Sequence, residues 1–208
     1  MDASPFATKP TLVGKRATLR PFREEDLEPM AEALADPDVL RLTGSVHSTA
    51  AAESADPNPD DRTREWYATR NDQTDRLDLA IVDNASGRCV GEAVLNEWDA
   101  DNESCNFRIL IGPGGRDRGL GTEATTLMLG HGFTALGLHR ISLEVYAVNP
   151  RARRAYEKAG FVVEGVTREA LRFGDERIDA IIMAALAPEW LAMRHGVRAG
   201  SGTQSASA

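Results

Sequence analysis

The segment at residues 116–124, RDRGLGTEA, combines arginines and glycines in a pattern that suits an anion. Gly119 and Gly121 allow the backbone to approach a ligand closely. A helix that begins there presents unpaired N–H groups and the positive end of its dipole. Arg116 and Arg118 add positive charge. The segment therefore predicts a binding site for a pyrophosphate.

Three other interpretations of this segment can be weighed from sequence alone. It is not a nucleoside-triphosphate loop, because no Gly-Lys-Ser/Thr follows the glycines. Gly119, Gly121 and Ala124 approximate a dinucleotide fingerprint, with Glu144 about twenty residues further on. The dinucleotide fold needs alternating strands and helices, whereas this segment follows hairpin-linked strands. A glycine-rich turn that binds nothing is the remaining alternative.

The elements that position this segment can be predicted from hydrophobic periodicity and turn residues. Alternating apolar and polar residues predict seven strands, at 16–22, 77–83, 88–98, 104–111, 139–148, 161–173 and 176–186. Apolar residues at helical spacing predict helices at 26–35, around 66–67, from 119 to 137, from 149 to 160, and a terminal turn near 187–194. On the 119–137 helix, His131 shares the apolar face, which favours core packing over chemistry.

The remaining segments carry weaker signals. Residues 43–62 are rich in Ser, Ala, Asp and Pro, which predicts an irregular loop that serves either as a lid or as no functional element. The sequence divides into an N-terminal arm at 1–10, one domain at 11–192 and a disordered tail at 193–208.

Composition excludes several classes of protein. The 208 residues suit one domain, and the net charge of −8 divides into −11 for residues 1–107 and +3 for residues 108–208. The acidic half argues against a nucleic-acid partner. No apolar run predicts a membrane span or a secretory signal, so a cytoplasmic location is expected. Cys89 and Cys105 lack the clustered partners of a metal site, and we expect both to be reduced.

At this point the chain resembles the GNAT acetyltransferases. Arg116-x-x-Gly119-x-Gly121 is similar to their pyrophosphate-binding motif. Asn149 followed by the run from Tyr156 to Phe161 is similar to their second signature. Three further blocks, Leu19-Arg20-Pro21 with Asp26, Thr122-Glu123-Ala124, and Arg168-Glu169-Ala170 with Asp179, resemble the RimJ/RimL branch. The resemblance spans roughly residues 12–191.

The resemblance implies an α+β fold, with a mostly antiparallel seven-stranded sheet flanked by helices and a splay between the fourth and fifth strands. Pantetheine of acetyl-CoA would lie in that splay, and no metal is implied. Asn149 would contact the coenzyme arm, although plain helix capping explains it equally well. The implied coenzyme-binding residues are Ile109, Leu110, Ile111, Arg116, Asp117, Arg118, Gly119, Leu120, Gly121, Thr122, Asn149 and Tyr156.

The resemblance also implies a reaction in which an amine attacks the thioester directly. Tyr156 would protonate the departing thiolate, since a phenol with a pKa of about 10 can supply that proton. A core tyrosine on an apolar stripe is the alternative. The general base is less clear, because Asn106 stands where related sequences often carry Glu. Glu103 is the candidate, although a solvated charge is the alternative for Glu103 as it is for Glu92 and Glu97. Proton loss to water or through a backbone carbonyl is a further alternative.

Three functions remain open at the level of sequence. The resemblance favours acetyl transfer to the N-terminal amine of a protein or peptide. A small cationic amine, such as an aminoglycoside, polyamine or amino-acid-like metabolite, is the second acceptor. A coenzyme-binding regulatory module without turnover is the third. The acidic first half suggests that the acceptor is attracted as a cation. The oligomeric state stays open, with a homodimer as one expectation.

Overall fold

The alternating segments of the chain form eight strands that join in one sheet. The structure is a computed structural model that describes residues 4–200, with side chains for residues 4–194. The strands are β1 (Leu12–Val13), β2 (Ala17–Arg20), β3 (Leu77–Asp83), β4 (Cys89–Asp99), β5 (Ser104–Ile111), β6 (Arg140–Tyr146), β7 (Val162–Phe173) and β8 (Glu176–Leu186).

The sheet has the order β1-β2-β3-β4-β5-β6-β8-β7. Every neighbouring pair is antiparallel except β5 and β6, which pair in parallel over only three positions, from Ser104–Arg140 to Asn106–Ser142. Beyond these positions the two strands diverge. The predicted fold class, with its splay, is confirmed. The strand count is eight rather than seven, because Leu12–Val13 adds a short edge strand against β2.

Seven helices accompany the sheet in the part of the chain that the structure describes. They are α1 (Leu27–Ala35), α2 (Pro37–Leu42), α3 (Thr49–Glu53), α4 (Asp61–Ala68), α5 (Leu120–Thr134), α6 (Pro150–Ala159) and α7 (Ala187–Gly200). Asp36 separates α1 from α2, because its side chain accepts a hydrogen bond from the Val39 N–H and Pro37 occupies the first helical turn.

Two predictions about irregular segments differ from the structure. The 43–62 loop contains α3, because Ser48 caps three consecutive alanines, which are strong helix formers. The tail expected from residue 193 begins instead as the end of α7, which continues to Gly200. The rest of that tail, residues 201–208, lies outside the described residues, as do residues 1–3 of the arm.

The N-terminal arm is part of the packed structure. Phe6 is fully buried in the larger core, which lies between one sheet face and α5, α6 and α7. The Lys9 Nζ donates hydrogen bonds to the carbonyl oxygens of Gln73 and Arg76, at 2.6 and 2.5 Å. The arm is thereby tied to the segment that enters β3.

His131 is half-buried on α5, and burial lowers its pKa, which agrees with a packing role.

A smaller core holds α1 and α4 against the other sheet face. A buried ion pair fixes the start of α1: the Arg20 guanidinium donates to both carboxylate oxygens of Asp26, at 2.6 and 2.9 Å. Asp26 also accepts a hydrogen bond from the Arg23 N–H at 2.8 Å. The Arg20 and Asp26 side chains are 10% and 2% exposed, so loss of either partner would leave a buried charge unpaired.

We therefore expect Asp26→Ala to lower the free energy of unfolding by about 3 kcal/mol. Glu25→Ala is the matched control, since Glu25 also approaches Arg20, at 3.6 Å, but its side chain is 67% exposed. An exposed pair of this kind contributes roughly 0.5 kcal/mol or less. Urea unfolding of both variants measures the difference, and equal midpoints would show that the buried pair does not hold α1.

Candidate active site

Two cavities meet at the place where β5 and β6 diverge. The first, which we call the loop cavity, has a volume of about 320 Å³ and lies against the turn from β5 into α5 and against α6. The second, the sheet cavity, has a volume of about 310 Å³ and lies against β4, β5 and β6. Both cavities share a wall formed by Val39, Leu42, Thr43, Ile109, Leu110, Asn149 and Tyr156. A ligand in one cavity therefore reaches the border of the other.

The turn into α5 presents a row of backbone donors to the loop cavity. Gly119 has φ +77°, and a Cβ there would lie 2.5 Å from a guanidinium nitrogen of Arg16. Within residues 4–200, the backbone N–H groups of 117–122 have no protein acceptor, and the first helical bond runs from the Glu123 N–H to the Gly119 carbonyl. Such a row at a helix start suits a phosphate.

Space in front of this row is open to a ligand. Gly121 lines the loop cavity, and a Cβ there would meet only Ile111, at 3.6 Å, apart from atoms of its own helix and chain neighbours. The protein itself could therefore accommodate a methyl group at this position. The residues present thus fit the pyrophosphate and pantetheine of a coenzyme A.

The structure brings most of the expected coenzyme-binding residues to the loop cavity. Ten of the twelve line it, namely Ile109, Leu110, Ile111, Arg116, Asp117, Gly119, Gly121, Thr122, Asn149 and Tyr156. The side chain of Leu120 instead packs in the core, where it is 1% exposed. Arg118 also lies off the cavity, because its guanidinium contacts a carboxylate oxygen of Asp83 at 3.0 Å.

The arginine side chains of the turn form ion pairs within the protein, whereas the sequence predicts that they bind the anion directly. The Arg116 guanidinium forms ion pairs with Asp36 and with Asp38, the latter at 3.2 Å. Its charge is therefore already partnered, and the pair ties the turn to the start of α2. Three cations of α6 are not among the predicted binding residues, although their spacing places them on one helix face. They are Arg154, Lys158 and Arg151, which line the loop cavity, and the Arg151 guanidinium also contacts the Asp117 carboxylate at 3.4 Å.

Tyr156 stands at the shared wall with its hydroxyl uncommitted. Its side chain is 8% exposed, and its ring packs edge-on against Phe107 and Phe161, with centroids 6.4 and 5.9 Å away. Among the described side chains, none forms a hydrogen bond with the Tyr156 hydroxyl. Burial raises the pKa of Tyr156, so the phenol is neutral and can donate a proton. Asn149 caps α6 two turns earlier, because its Oδ1 accepts from the Ala152 N–H at 3.1 Å.

Glu92 belongs to the candidate site, although the sequence favours a solvated charge at this position. It lies on β4, lines the sheet cavity, and accepts a hydrogen bond from the Tyr67 hydroxyl at 3.1 Å. Burial, and then the negative charge of Asp78, raise the pKa of Glu92. The inward position of Glu92 follows from the alternation along β4, where Gly91 and Ala93 face the opposite side. Glu144 and Tyr146 of β6 line the same cavity.

The residue predicted as the general base lies away from both cavities in the structure. Glu103 lies in the exposed turn before β5, with φ +47°, and lines neither cavity. Asn106 does line the sheet cavity, where its amide donates to the Asn96 side chain at 3.1 Å. The acidic run of the same turn, at residues 97–103, also lies off both cavities. The net charge of the first half therefore says little about the site.

Other chemistries find no support among the described residues. Cys89 and Cys105 are buried, and burial raises the pKa of each thiol to about 12, which disfavours a thiolate nucleophile. Within residues 4–194, no group of three or more His, Cys, Asp or Glu side chains could hold a metal ion.

No described helix is long and apolar enough to cross a bilayer.

Comparison with known proteins agrees with this geometry. Residues 16–162 match the family model for the acetyltransferase (GNAT) domain. A spermidine N(1)-acetyltransferase of Escherichia coli (strain K12) is 28% identical over 174 residues, which cover 84% of this chain and 88% of that protein. Another from Vibrio cholerae is 35% identical over 85 residues, 41% of this chain and 49% of that protein, so this match spans about half the relative's length.

A solved structure shows the same fold. The crystal structure of spermidine N-acetyltransferase from Vibrio cholerae, in complex with CoA and spermine, has a TM-score of 0.72 with 24% identity. The match covers 86% of this chain and 99% of that one.

The open space at Gly121 leads to a prediction for coenzyme binding. Gly121→Ala adds a methyl group beside the row of backbone donors, and we expect the Kd for acetyl-CoA to rise about tenfold, a cost of about 1.4 kcal/mol. The fold should not lose stability, since alanine is the better helix former. Isothermal titration measures the affinity.

Gly130→Ala is the matched control on the same helix, where the added Cβ would make an ordinary contact with Trp190 at 3.4 Å. Its Kd for acetyl-CoA should equal that of the unchanged protein. An unaltered Kd in Gly121→Ala would show that the coenzyme does not approach this helix start.

Proposed function

Because this chain belongs to the GNAT acetyltransferase family, we propose that it acetylates a primary amine of a small polyamine-like cation. The chain is an acetyl-CoA-dependent N-acetyltransferase; the proposal concerns the acceptor and the residues that handle it. Support comes from the carboxylates of the sheet cavity and from the relatives named as spermidine acetyltransferases.

The observation that carries the proposal is the charge of the sheet cavity. Glu92 and Glu144 contribute two carboxylates to its lining, and Arg108 contributes one guanidinium. An ammonium group is attracted to such a lining, and a second ammonium on the same molecule adds to the attraction. The cavity borders Tyr156, so a bound amine lies next to the thioester end of the coenzyme.

Acetyl-CoA binds, in this proposal, with its pyrophosphate on the donors of residues 117–122 and its pantetheine along the unpaired edge of β5. That edge is unpaired between Asn106 and Ile111, because β6 has already diverged. Arg154 and Lys158 of α6 add attraction for the phosphates. Arg116 contributes by holding the turn against α2 rather than by direct contact.

The residues of the two cavities suffice for a complete transfer. Glu92 takes one proton from the ammonium, which leaves a neutral amine with a free electron pair. The nitrogen attacks the thioester carbonyl carbon, and the carbon–sulfur bond breaks as the tetrahedral intermediate collapses. Tyr156 donates its proton to the departing thiolate and regains one from the acylated nitrogen. The proton on Glu92 passes to solvent, so one proton is released for each turnover.

The structure bears differently on the two other functions considered in the sequence analysis. A regulatory module without turnover drew its support from Asn106, but Glu92 supplies a carboxylate in the same cavity. An N-terminal amine of a protein remains an outcome of the acceptor test below. The homodimer and the cytoplasmic location stay predictions.

Glu92→Gln tests the proposed base with little change of shape. We expect kcat/KM for spermidine to fall about a hundredfold or more, because the amide cannot accept the proton. The Kd for acetyl-CoA should stay unchanged. Release of free thiol is measured with spermidine, a monoamine of similar length, an aminoglycoside and a peptide with a free N-terminus.

Glu103→Gln is the matched control, since Glu103 is exposed and lines neither cavity. Its activity should equal that of the unchanged protein.

Spermidine turnover should weaken as salt rises, because screening reduces attraction between the cavity and the cation. Preference for the peptide over spermidine would contradict the proposed acceptor, and full activity of Glu92→Gln would contradict the proposed base.

Tyr156→Phe tests the proposed acid. The ring contacts with Phe107 and Phe161 are kept, so the fold and the affinity for acetyl-CoA should change little. Turnover should fall about a hundredfold or more, because the thiolate must leave without a positioned proton donor. Steady-state kinetics and coenzyme titration measure the two effects, and an unchanged kcat would remove Tyr156 from the mechanism.

A further inference from the structure

The hydroxyl of Tyr67 donates a hydrogen bond to Oε2 of Glu92 at 3.1 Å. Tyr67 lies on α4, is 7% exposed, and lines neither cavity. It therefore touches the acceptor site only through Glu92. We propose that Tyr67 is a positioning residue that holds the Glu92 carboxylate for proton transfer from the amine. This inference rests on the proposed function, in which Glu92 is the base.

The packing of α4 leaves Tyr67 little freedom. Its ring packs against Phe22, with centroids 5.0 Å apart, inside the smaller core that also holds Met30 and Ala80. Asp60 fixes the start of α4, because its side chain accepts a hydrogen bond from the Thr63 N–H at 2.7 Å. Burial raises the pKa of Tyr67, and the Glu92 charge raises it further. The phenol is therefore always protonated and can only donate to a carboxylate.

The bond gives the two oxygens of Glu92 different tasks. Oε2 already accepts from Tyr67, whereas Oε1 accepts no hydrogen bond within the described residues and is the more available oxygen for the ammonium of the acceptor. A carboxylate held at one oxygen also loses less freedom when it takes part in the reaction. Tyr67 thereby contributes to catalysis without touching substrate.

The charges around Glu92 determine the direction of any change in its protonation. Burial and Asp78 raise the pKa of Glu92, whereas the Tyr67 hydrogen bond, then Arg70 and Arg108, lower it. Glu144 lines the same cavity and adds negative charge. Other titratable groups on the packed elements are Arg76 before β3 and Cys89 on β4. Removal of the Tyr67 hydroxyl takes away a hydrogen bond that stabilises the charged carboxylate, so we expect the pKa of Glu92 to rise.

Tyr67→Phe tests this step while keeping the ring on Phe22. The acidic limb of the pH profile of kcat/KM should move up by about one pH unit, the size expected for one hydrogen bond to a carboxylate. Activity below the limb falls about tenfold, and activity well above it recovers. The Kd for acetyl-CoA is unchanged. In parallel, carbon NMR of protein labelled at the glutamate carboxyls follows the titration of Glu92, assigned by the signal missing in Glu92→Gln.

Phe22→Leu is the control for a merely structural role, since it loosens the packing around Tyr67 but keeps the hydroxyl. It should lower the melting temperature and leave the acidic limb in place. A Glu92 titration that is the same in Tyr67→Phe as in the unchanged protein overturns the inference and leaves the proposed function intact. A titration that moves while the acidic limb stays shows instead that Glu92 is not the base, which overturns both.

Discussion

The parting of β5 and β6 is the constraint on which the rest of this molecule depends. Three residue pairs join the strands, and then their edges separate. Buried backbone N–H and C=O groups need partners, so an edge opened in mid-sheet is costly unless a ligand completes it. The loop cavity and the sheet cavity meet at this opening and share a wall there. A reaction between a coenzyme on one side and an amine on the other needs such a passage.

The charged side chains near the opening are arranged by pairing with one another. Arg116 is held by Asp36 and Asp38, and Arg118 is held by Asp83. These pairs fix the turn after β5 in place, and in the proposed binding mode the phosphates lie on backbone N–H groups and near Arg154 and Lys158 of α6. A backbone donor has a fixed direction, whereas a long side chain loses rotamer freedom on binding. This difference favours an arrangement in which side chains position the turn and backbone N–H groups bind the anion.

Local features of the sequence predict much of the fold and one half of the site. Alternation ending at Gly112 predicts β5 with the bounds that the structure has, and the glycines predict the donor row. Features that depend on distant partners escape this reasoning. Tyr67 and Glu92 are 25 positions apart, and Arg116 and Asp36 are 80 apart. Hydrophobic periodicity does not predict such contacts. Closeness to Asn106 in the sequence therefore favours Glu103 as the base, whereas the packing of the folded chain brings Glu92 to the cavity.

Burial raises the pKa of both proposed proton-transfer groups. It thereby favours the protonated form, which is the working form of the acid but not of the base. It raises the pKa of Tyr156, which keeps the phenol in the protonated form that an acid needs but also makes it a weaker proton donor. It also raises the pKa of Glu92, which strengthens the base but moves its working range to higher pH. The hydrogen bond from Tyr67 and the charge of Arg70 oppose the second effect and have no counterpart at Tyr156. The shared enclosure can thus serve an acid and a base together, because only the base has partners that stabilise its charged form.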